Sequence, residues 1–334
     1  MPPARTLSMP LPDAFLDRLA RIVPADRLDP VVATFATPQP TGFRVCTLLA
    51  DEATTVAALR DEGVVVEAAP GIQGAYLVPA GDRASLMASR PYADGHVYLQ
   101  NVSSQLPALA LGVRPGERVL DACAAPGSKT GQIAALMQNE GEVFAVEKVR
   151  GRFYKLKANA YAQGAACVIP WLGPAEQVWR REPEAFDRVL LDAPCSTEGR
   201  FHTDEPETTR YWSLRKIREM RLAQSKLFFG AVQALRPGGT LVYSTCTFAP
   251  EENEGVLTRA LRTFGDALEV VDTGLPSSPL LDAQATPALD AWRDRPFNPQ
   301  TGRALRVLPG NGLEAFFVAR LVKHTSTIRT DAGR

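Results

Sequence analysis

Two cysteines are the residues whose placement most clearly suggests chemistry. Cys195 stands in the run LLDAPCST and Cys246 in the run LVYSTCTF, each just past an apolar segment with the length of a buried strand. In an open α/β sheet, reacting groups collect outside the carboxyl ends of the strands. A free cysteine taken alone is usually a small buried hydrophobe. Two at two strand ends, one of them close behind Asp192, point instead to a reaction in which one sulfur attacks and the other helps finish.

Methyl transfer to carbon 5 of cytosine needs such a pair. That carbon is a poor nucleophile until a thiolate adds to carbon 6 and ring nitrogen 3 gains a proton or hydrogen bond. The ring is then enamine-like and attacks a methyl sulfonium. The proton at carbon 5 must afterwards leave and the thiol be eliminated. A free thiol is only a few per cent ionised at neutral pH, so the site must depress its pKa or supply a base. Asp192 is suited to protonate or hydrogen-bond ring nitrogen 3. Lys129 points toward the same edge and can orient that acid. Which sulfur attacks stays open at this level.

The methyl donor is read from the segment VLDACAAPGSKT at 119–130. An apolar strand ending in Asp121 runs into a turn of small residues, which lets a ligand approach the backbone, and then into a helix whose first amides are free. Glu147 ends the next strand about twenty residues on, where a carboxylate accepts from both ribose hydroxyls of a nucleoside-bearing ligand. The turn lacks GxGxxG and the P-loop spacing, so nothing cradles a pyrophosphate. S-adenosyl-L-methionine fits better than a dinucleotide.

These residues must be positioned by alternating strands and helices. From His96 the chain reads as strand 118–123, helix KTGQIAALMQ, strand 142–147, helix RGRFYKLKANAYAQG, strands 166–170 and 186–192, and a long helix over about 213–235. Strand 240–245, helix 251–264 and late strands at 268–272 and 314–321 follow, the last two separated by a Pro-rich loop. This alternation predicts an α/β fold with a doubly wound, mostly parallel sheet. Ahead of it, a helix over 13–23, a strand at 44–50, a helix over 51–63 and two short strands form a small α/β lobe. The expected division is 1–95 for that lobe, with 1–12 a loose lead-in, 96–323 for the larger domain, and 324–334 for a flexible tail.

The chain has 334 residues, enough for about two domains. Lys plus Arg and Asp plus Glu are 37 each, so a nucleic-acid surface must be a local patch. KVRGRFYKLK (148–157) interleaves Phe153 and Tyr154 among Lys148, Arg150 and Arg152. The segment 210–226 adds Arg215 and Arg218 among its cations. The five cysteines, at 46, 123, 167, 195 and 246, have no CxxC spacing and suit neither a disulfide framework nor zinc. Reduced thiols suggest a cytoplasmic protein, expected to be a metal-free monomer. No apolar run has the length of a secretory signal or a membrane span.

DACAAPGSKT, LLDAPCSTEG and GGTLVYSTCTFAPEENE closely resemble the signature motifs of the Nop/Sun (RsmB-type) family of RNA cytosine-5 methyltransferases. YLQNVSSQLPAL (98–109) is similar to its segment before the cofactor turn, and RVLPGNGLEAFFVARL (306–321) to its closing motif. The likeness covers about 96–323. It implies a class I methyltransferase sheet of seven strands, one antiparallel, preceded by a small RNA-contacting domain. It implies that Cys246 bonds to cytosine carbon 6 and that Cys195 assists release of the methylated product. Cys123, Ala124, Ala125, Pro126, Gly127, Ser128, Lys129, Glu147 and Asp192 would surround S-adenosyl-L-methionine and the target base, and the substrate would be ribosomal or transfer RNA.

The chain departs from the family pattern in three places. Ser128 stands for the second glycine of APGGKT, and Thr197 for the glycine after Cys195-Ser196. Where an aspartate usually meets the adenine amino group, the chain reads VIPWLGPAE (168–176), with Leu172 or Gly173 in that place and Glu176 further on. Two rivals compete with the RNA reading. A DNA cytosine-5 methyltransferase would use the Pro-Cys thiol as nucleophile, but DAPCST lacks its PCQ continuation. A catalytically silent RNA-binding assembly factor would not need Asp192, Cys195 and Cys246 intact.

Overall fold

A computed structural model describes residues 11–328. Residues 1–10, most of the expected lead-in, and 329–334, the end of the expected tail, lie outside the described residues. The start of that tail is fixed rather than loose. The Thr327 N–H donates to Glu184 at 3.0 Å, and His324 lies 3.0 Å from Glu269.

The first two helices are α1 (Asp13–Ile22) and α2 (Leu28–Thr34). Phe15, Leu19 and Ile22 recur at helical spacing and bury one face of α1. That face packs on Phe201, Phe248 and Trp292, far along the chain.

A separate lobe follows: β1 (Thr41–Val45), α3 (Glu52–Asp61), β2 (Glu67–Ala68), β3 (Tyr76–Val78), α4 (Arg83–Ala88), α5 (Arg90–Ala93) and β4 (Val97–Leu99). Its antiparallel sheet, in order β2-β3-β1-β4, has its own core around Phe43, Leu59 and Val78. The strand expected at 44–50 starts earlier and stops at Val45. The amides of Leu49 and Ala50 both turn back to the Cys46 carbonyl, at 2.8 and 3.2 Å, which takes the chain out of the sheet. Asp51 then caps α3 by accepting from the Thr54 N–H at 2.8 Å.

The larger domain runs α6 (Val102–Leu111), β5 (Arg118–Asp121), α7 (Ser128–Leu136), β6 (Glu142–Glu147), α8 (Arg150–Ala162), β7 (Val168–Leu172), β8 (Phe186–Asp192), α9 (Leu214–Ala234), β9 (Leu235–Thr245), α10 (Glu254–Phe264) and β10 (Leu268–Val271). It closes with α11 (Pro279–Gln284), β11 (Ala285–Pro287), β12 (Ala291–Trp292), β13 (Arg295–Pro296), β14 (Leu305–Val307) and β15 (Phe316–Lys323). Strands β9-β8-β5-β6-β7 are parallel neighbours, and β15 lies antiparallel along β9. β10 and β14 share the other edge of β15 end to end, each antiparallel to it.

The expected seven strands are present, and β14 and β11 bring the sheet to nine. Both come from the stretch read as a Pro-rich loop. They form because Val307 turns into the core while Arg306 is drawn inward to Glu254 at 2.6 Å. Val189 and Leu191 face the helix layer of α9 and α10, whereas Leu190 faces that of α6 and α7. Burial on both faces explains why LLDAP and LVYST are nearly continuous apolar runs. Among the described residues, no helix is long and apolar enough to cross a membrane.

Candidate active site

The carboxyl ends of β5, β6, β8 and β9 open on one cavity of about 440 Å³. After β5 the chain turns through Cys123–Ser128 into α7. Asp121 Oδ2 accepts from the Thr130 hydroxyl at 2.7 Å and ties the strand end to the helix. Burial pushes Asp121 up to about 6, and it pushes the Cys123 thiol well above its ordinary range. Gly127 has φ +107, and a Cβ there would stand 3.2 Å from Leu156 Cδ1, so the tight approach of turn to α8 suits glycine. Ser128 starts the helix in the place of the family's second glycine and lines the cavity.

Glu147 sits at the end of β6 with its side chain 5% exposed. One oxygen accepts from the Val149 N–H at 2.7 Å, and the other lies 3.3 Å from Arg152. Arg152 also donates to the Ala125 carbonyl at 2.6 Å. This cation of the first basic patch therefore braces the cofactor turn. At the end of β7, Leu172 is exposed and is not among the cavity-lining residues. The Gly173 N–H is taken up by the Glu147 carbonyl at 3.1 Å. Glu176 supplies the charged side chain lining that end, beside Ala175 and Leu227.

The opposite end holds the reactive groups. Lys129 Nζ lies 2.7 Å from Asp192 Oδ2 and donates to the Ser104 hydroxyl at 2.8 Å. Ser244 donates to Asp192 Oδ1 at 2.8 Å. Each carboxylate oxygen of Asp192 thus has a hydrogen-bond donor. Cys195 and Cys246 are buried with their sulfurs 3.4 Å apart. A hydrogen bond from Cys195 holds the Cys246 thiol below its ordinary range; burial opposes it and the nearby Arg200 guanidinium adds to it. Cys195 moves the other way, pushed up by donating to Cys246 and by burial. Such a pair titrates as a unit, and the Arg200 guanidinium favours charge on the Cys246 side.

The loops bearing the two thiols are stitched together. The Gly199 N–H donates to the Cys246 carbonyl at 3.0 Å, and a Cβ at Gly199 would stand 2.5 Å from the Ala315 carbonyl oxygen. Glu198 accepts from the Trp212 indole and the Thr247 hydroxyl, both at 2.8 Å, and from the Phe248 N–H at 3.0 Å. Burial pushes Glu198 up. Thr197 has φ +56, the left-handed region that favours glycine.

Cys123, Ala124, Ala125, Pro126, Ser128, Lys129, Glu147, Lys148, Arg152, Asp192, Cys195 and Cys246 all line this one cavity. Gly127 is not among the lining residues and instead makes the close approach to α8. Arg150, Arg215 and Arg218 lie outside: Arg150 is over the Tyr154 ring, Arg215 pairs with Glu219 at 2.8 Å, and Arg218 donates to the Leu214 carbonyl. Sequence reading passed over Ser104, Arg200 and Ser244. Ser244 stands in the STC motif itself; the other two had no spacing signal. Among the described residues, no three His, Cys, Asp or Glu side chains group as metal ligands.

A glycine turn at the first strand end, an acid at the second and the reversed β15 define a class I methyltransferase fold. A family model described as 16S rRNA methyltransferase RsmB/F matches residues 108–322, and the chain belongs to that family. It is 38% identical to ribosomal RNA small subunit methyltransferase F of Aeromonas salmonicida over 96% of this chain and 65% of that protein. The same-named protein of Aeromonas hydrophila is also 38% identical, over 96% of this chain and 66% of its own length. The chain thus spans just under two thirds of these relatives. Among solved structures, a methyltransferase homologue from Pyrococcus horikoshii superposes with a TM-score of 0.76 at 29% identity, covering 94% of this chain and all of that one. NSun6 from Pyrococcus horikoshii, solved with SFG, shares the fold at a TM-score of 0.78 and 19% identity, over 93% of this chain and 98% of that one.

Proposed function

We propose that this chain is an S-adenosylmethionine-dependent RNA cytosine-5 methyltransferase acting on RNA of the small ribosomal subunit. The observation that carries this reading is the pair of buried sulfurs 3.4 Å apart beside the Lys129–Asp192 pair. The names of the 38%-identical relatives favour small-subunit RNA over transfer RNA.

S-adenosylmethionine supplies an electrophilic methyl group on a sulfonium. The residues present fit it. The small side chains of Cys123–Ser128 leave the backbone approachable. Glu147 retains lone pairs for ribose hydroxyls, and Glu176 stands at the far end for an adenine amino group. The volume of about 440 Å³ is ordinary for a small-molecule site.

Cys246, the sulfur with the depressed pKa, adds to carbon 6 of an extruded or unpaired cytosine. Asp192, held by Lys129 and Ser244, hydrogen-bonds ring nitrogen 3 as charge develops there. After methylation the carbon 5 proton passes to the Cys195 sulfur, whose own proton has gone to solvent while Cys246 is held in the adduct. The electrons of the carbon 5–hydrogen bond restore the double bond and expel the Cys246 sulfur. A DNA enzyme would attack with the Pro-Cys thiol, yet Cys195 is the sulfur pushed up.

The lobe over 41–99, with Lys148 at the cavity rim and Arg150, Arg215 and Arg218 beyond it, is the proposed RNA-facing surface. Every group this chemistry uses comes from one copy, so the reading takes a monomer. The reduced thiols it requires match a cytoplasmic setting. The test is transfer of labelled methyl from S-adenosylmethionine to unmodified small-subunit RNA. Label in 5-methylcytosine is expected; label confined to transfer RNA, to DNA or to another base overturns the reading.

A further inference from the structure

Beneath the thiols lies a buried acid that the mechanism above does not use. Glu252, in the loop after β9, and Gln224, on α9, are both fully buried. Glu252 Oε2 accepts twice, from the Ser196 N–H at 3.1 Å and from Gln224 Nε2 at 2.7 Å. Gln224 Nε2 also donates to the Pro194 carbonyl at 2.9 Å. That carbonyl fixes which end of the amide is nitrogen, since only N–H can face it. Two oxygens are then left without a donor, Glu252 Oε1 and Gln224 Oε1. A buried acceptor left without a donor is destabilising, more so if it is charged.

We propose that Glu252 is a neutral carboxylic acid that forms a cyclic acid–amide pair with Gln224, and that this pair positions Cys195. One proton on Glu252 Oε1, donated to Gln224 Oε1, gives both orphaned atoms a partner. The pair then grips the peptide groups on either side of Cys195, Pro194 through its carbonyl and Ser196 through its N–H. Glu252 follows Cys246 by a few residues, so the clamp also fixes the spacing of the two sulfurs. A neutral Glu252 keeps a negative charge away from Cys195, whose thiol an ionised Glu252 would push up further.

The surroundings agree. Glu198, on the neighbouring loop, is acidic and faces the same pocket, and burial together with that neighbour pushes Glu252 up to about 8. Tyr243 on β9 donates to the Glu252 carbonyl at 2.6 Å, and Arg18 on α1 is spent on Glu251. Neither brings a cation to the Glu252 carboxyl.

This inference rests on the proposed function only for what Cys195 does; the protonation can be tested whether or not the chain methylates RNA. Infrared difference spectra of wild type against Glu252→Gln at pH 7 should isolate a protonated-carboxyl stretch. That band should fade as pH rises through about 8. Native Glu252 binds its proton where the unfolded chain, with the ordinary value of 4.5, has lost it. Its stabilisation is therefore complete below pH 4.5 and declines as pH rises to about 8. Glu252→Gln lacks that slope, so its Tm relative to wild type should climb across this window. Gln224→Met, which keeps the acid but removes its partner, should shift the band toward a free acid. No band at pH 7, as a water bridging the two oxygens would give, overturns the proposal. So does a band that neither substitution alters.

Discussion

The Cys195 and Cys246 sulfurs lie 3.4 Å apart, close enough to share a proton, and the Arg200 guanidinium beside Cys246 makes the two thiols unequal. Cys246 is readied for attack while Cys195 keeps its proton. With both replaceable one at a time, the asymmetry can be read directly. Incubated with small-subunit RNA and S-adenosylmethionine, Cys195→Ala should accumulate a denaturation-resistant protein–RNA adduct and turn over about 10²–10⁴-fold more slowly. Cys246→Ala should form no adduct and be inactive. The opposite pattern exchanges the roles, and an adduct with neither variant removes covalent catalysis. Denaturing gels with labelled RNA distinguish these outcomes.

Arg200 provides a second handle on the same asymmetry. Its guanidinium lines the cavity and favours the ionised form of Cys246. Removing the cation must raise the Cys246 pKa. The pH at which Cys246 reaches half-maximal alkylation should move upward in Arg200→Ala, and Arg200→Lys should restore part of the difference. Mass spectrometry of the Cys246 peptide after brief treatment with iodoacetamide across pH gives the midpoints. An unmoved midpoint removes Arg200 from the activation of this thiol.

Glu176 stands where adenine recognition lacks its usual aspartate. Glu176 is the acidic residue lining that end of the cavity and can accept from an amino group. Glu176→Ala should weaken S-adenosylmethionine binding by about tenfold, the worth of one charge-assisted hydrogen bond. kcat at saturating cofactor should be nearly unchanged. Calorimetric titration with the cofactor reads the loss, and equal affinity would assign adenine recognition to the backbone.

Thr197 is a β-branched residue held at φ +56. The left-handed conformation costs about 1–2 kcal/mol that glycine avoids, while glycine adds roughly 0.4–1 kcal/mol of unfolded-state entropy. Thr197→Gly should therefore stabilise the protein by up to about 1.6 kcal/mol. Urea unfolding measures it; a net destabilisation would mean that the Thr197 side chain contributes contacts worth more than the strain.

The strand ends were the legible part of this chain. FDRVLLD, EVFAVE and the two cysteine motifs announced their positions because a doubly buried parallel strand is a dense apolar run and ends abruptly at a polar or small residue. Lys129 with Asp192 was also readable, since both stand at one edge of one sheet. Arg200, Ser104 and the Glu252–Gln224 pair were not, because their partners are set by tertiary packing between segments far apart in sequence. Strand limits in the first lobe were misread where a local turn at Cys46 outweighed the β-propensity of the residues after it. The segment before β15 was read as loop because its strands are two or three residues long, too short to show alternation.

The packing of α1 has a consequence for how the chain is made. Arg18 bonds to Glu251, 233 residues away, and Phe15 sits among Phe201, Trp212 and Phe248. At about 5–20 residues per second of synthesis, the first helix emerges roughly ten to fifty seconds before the surface it covers exists. During that interval the lobe over 41–99 can complete its own core, but the apolar stripe of α1 stays in water or in the care of a chaperone. Docking of that helix under the cysteine loops is then a late event in biogenesis, and a ribosome-stalled chain ending before Phe248 should leave it open to protease.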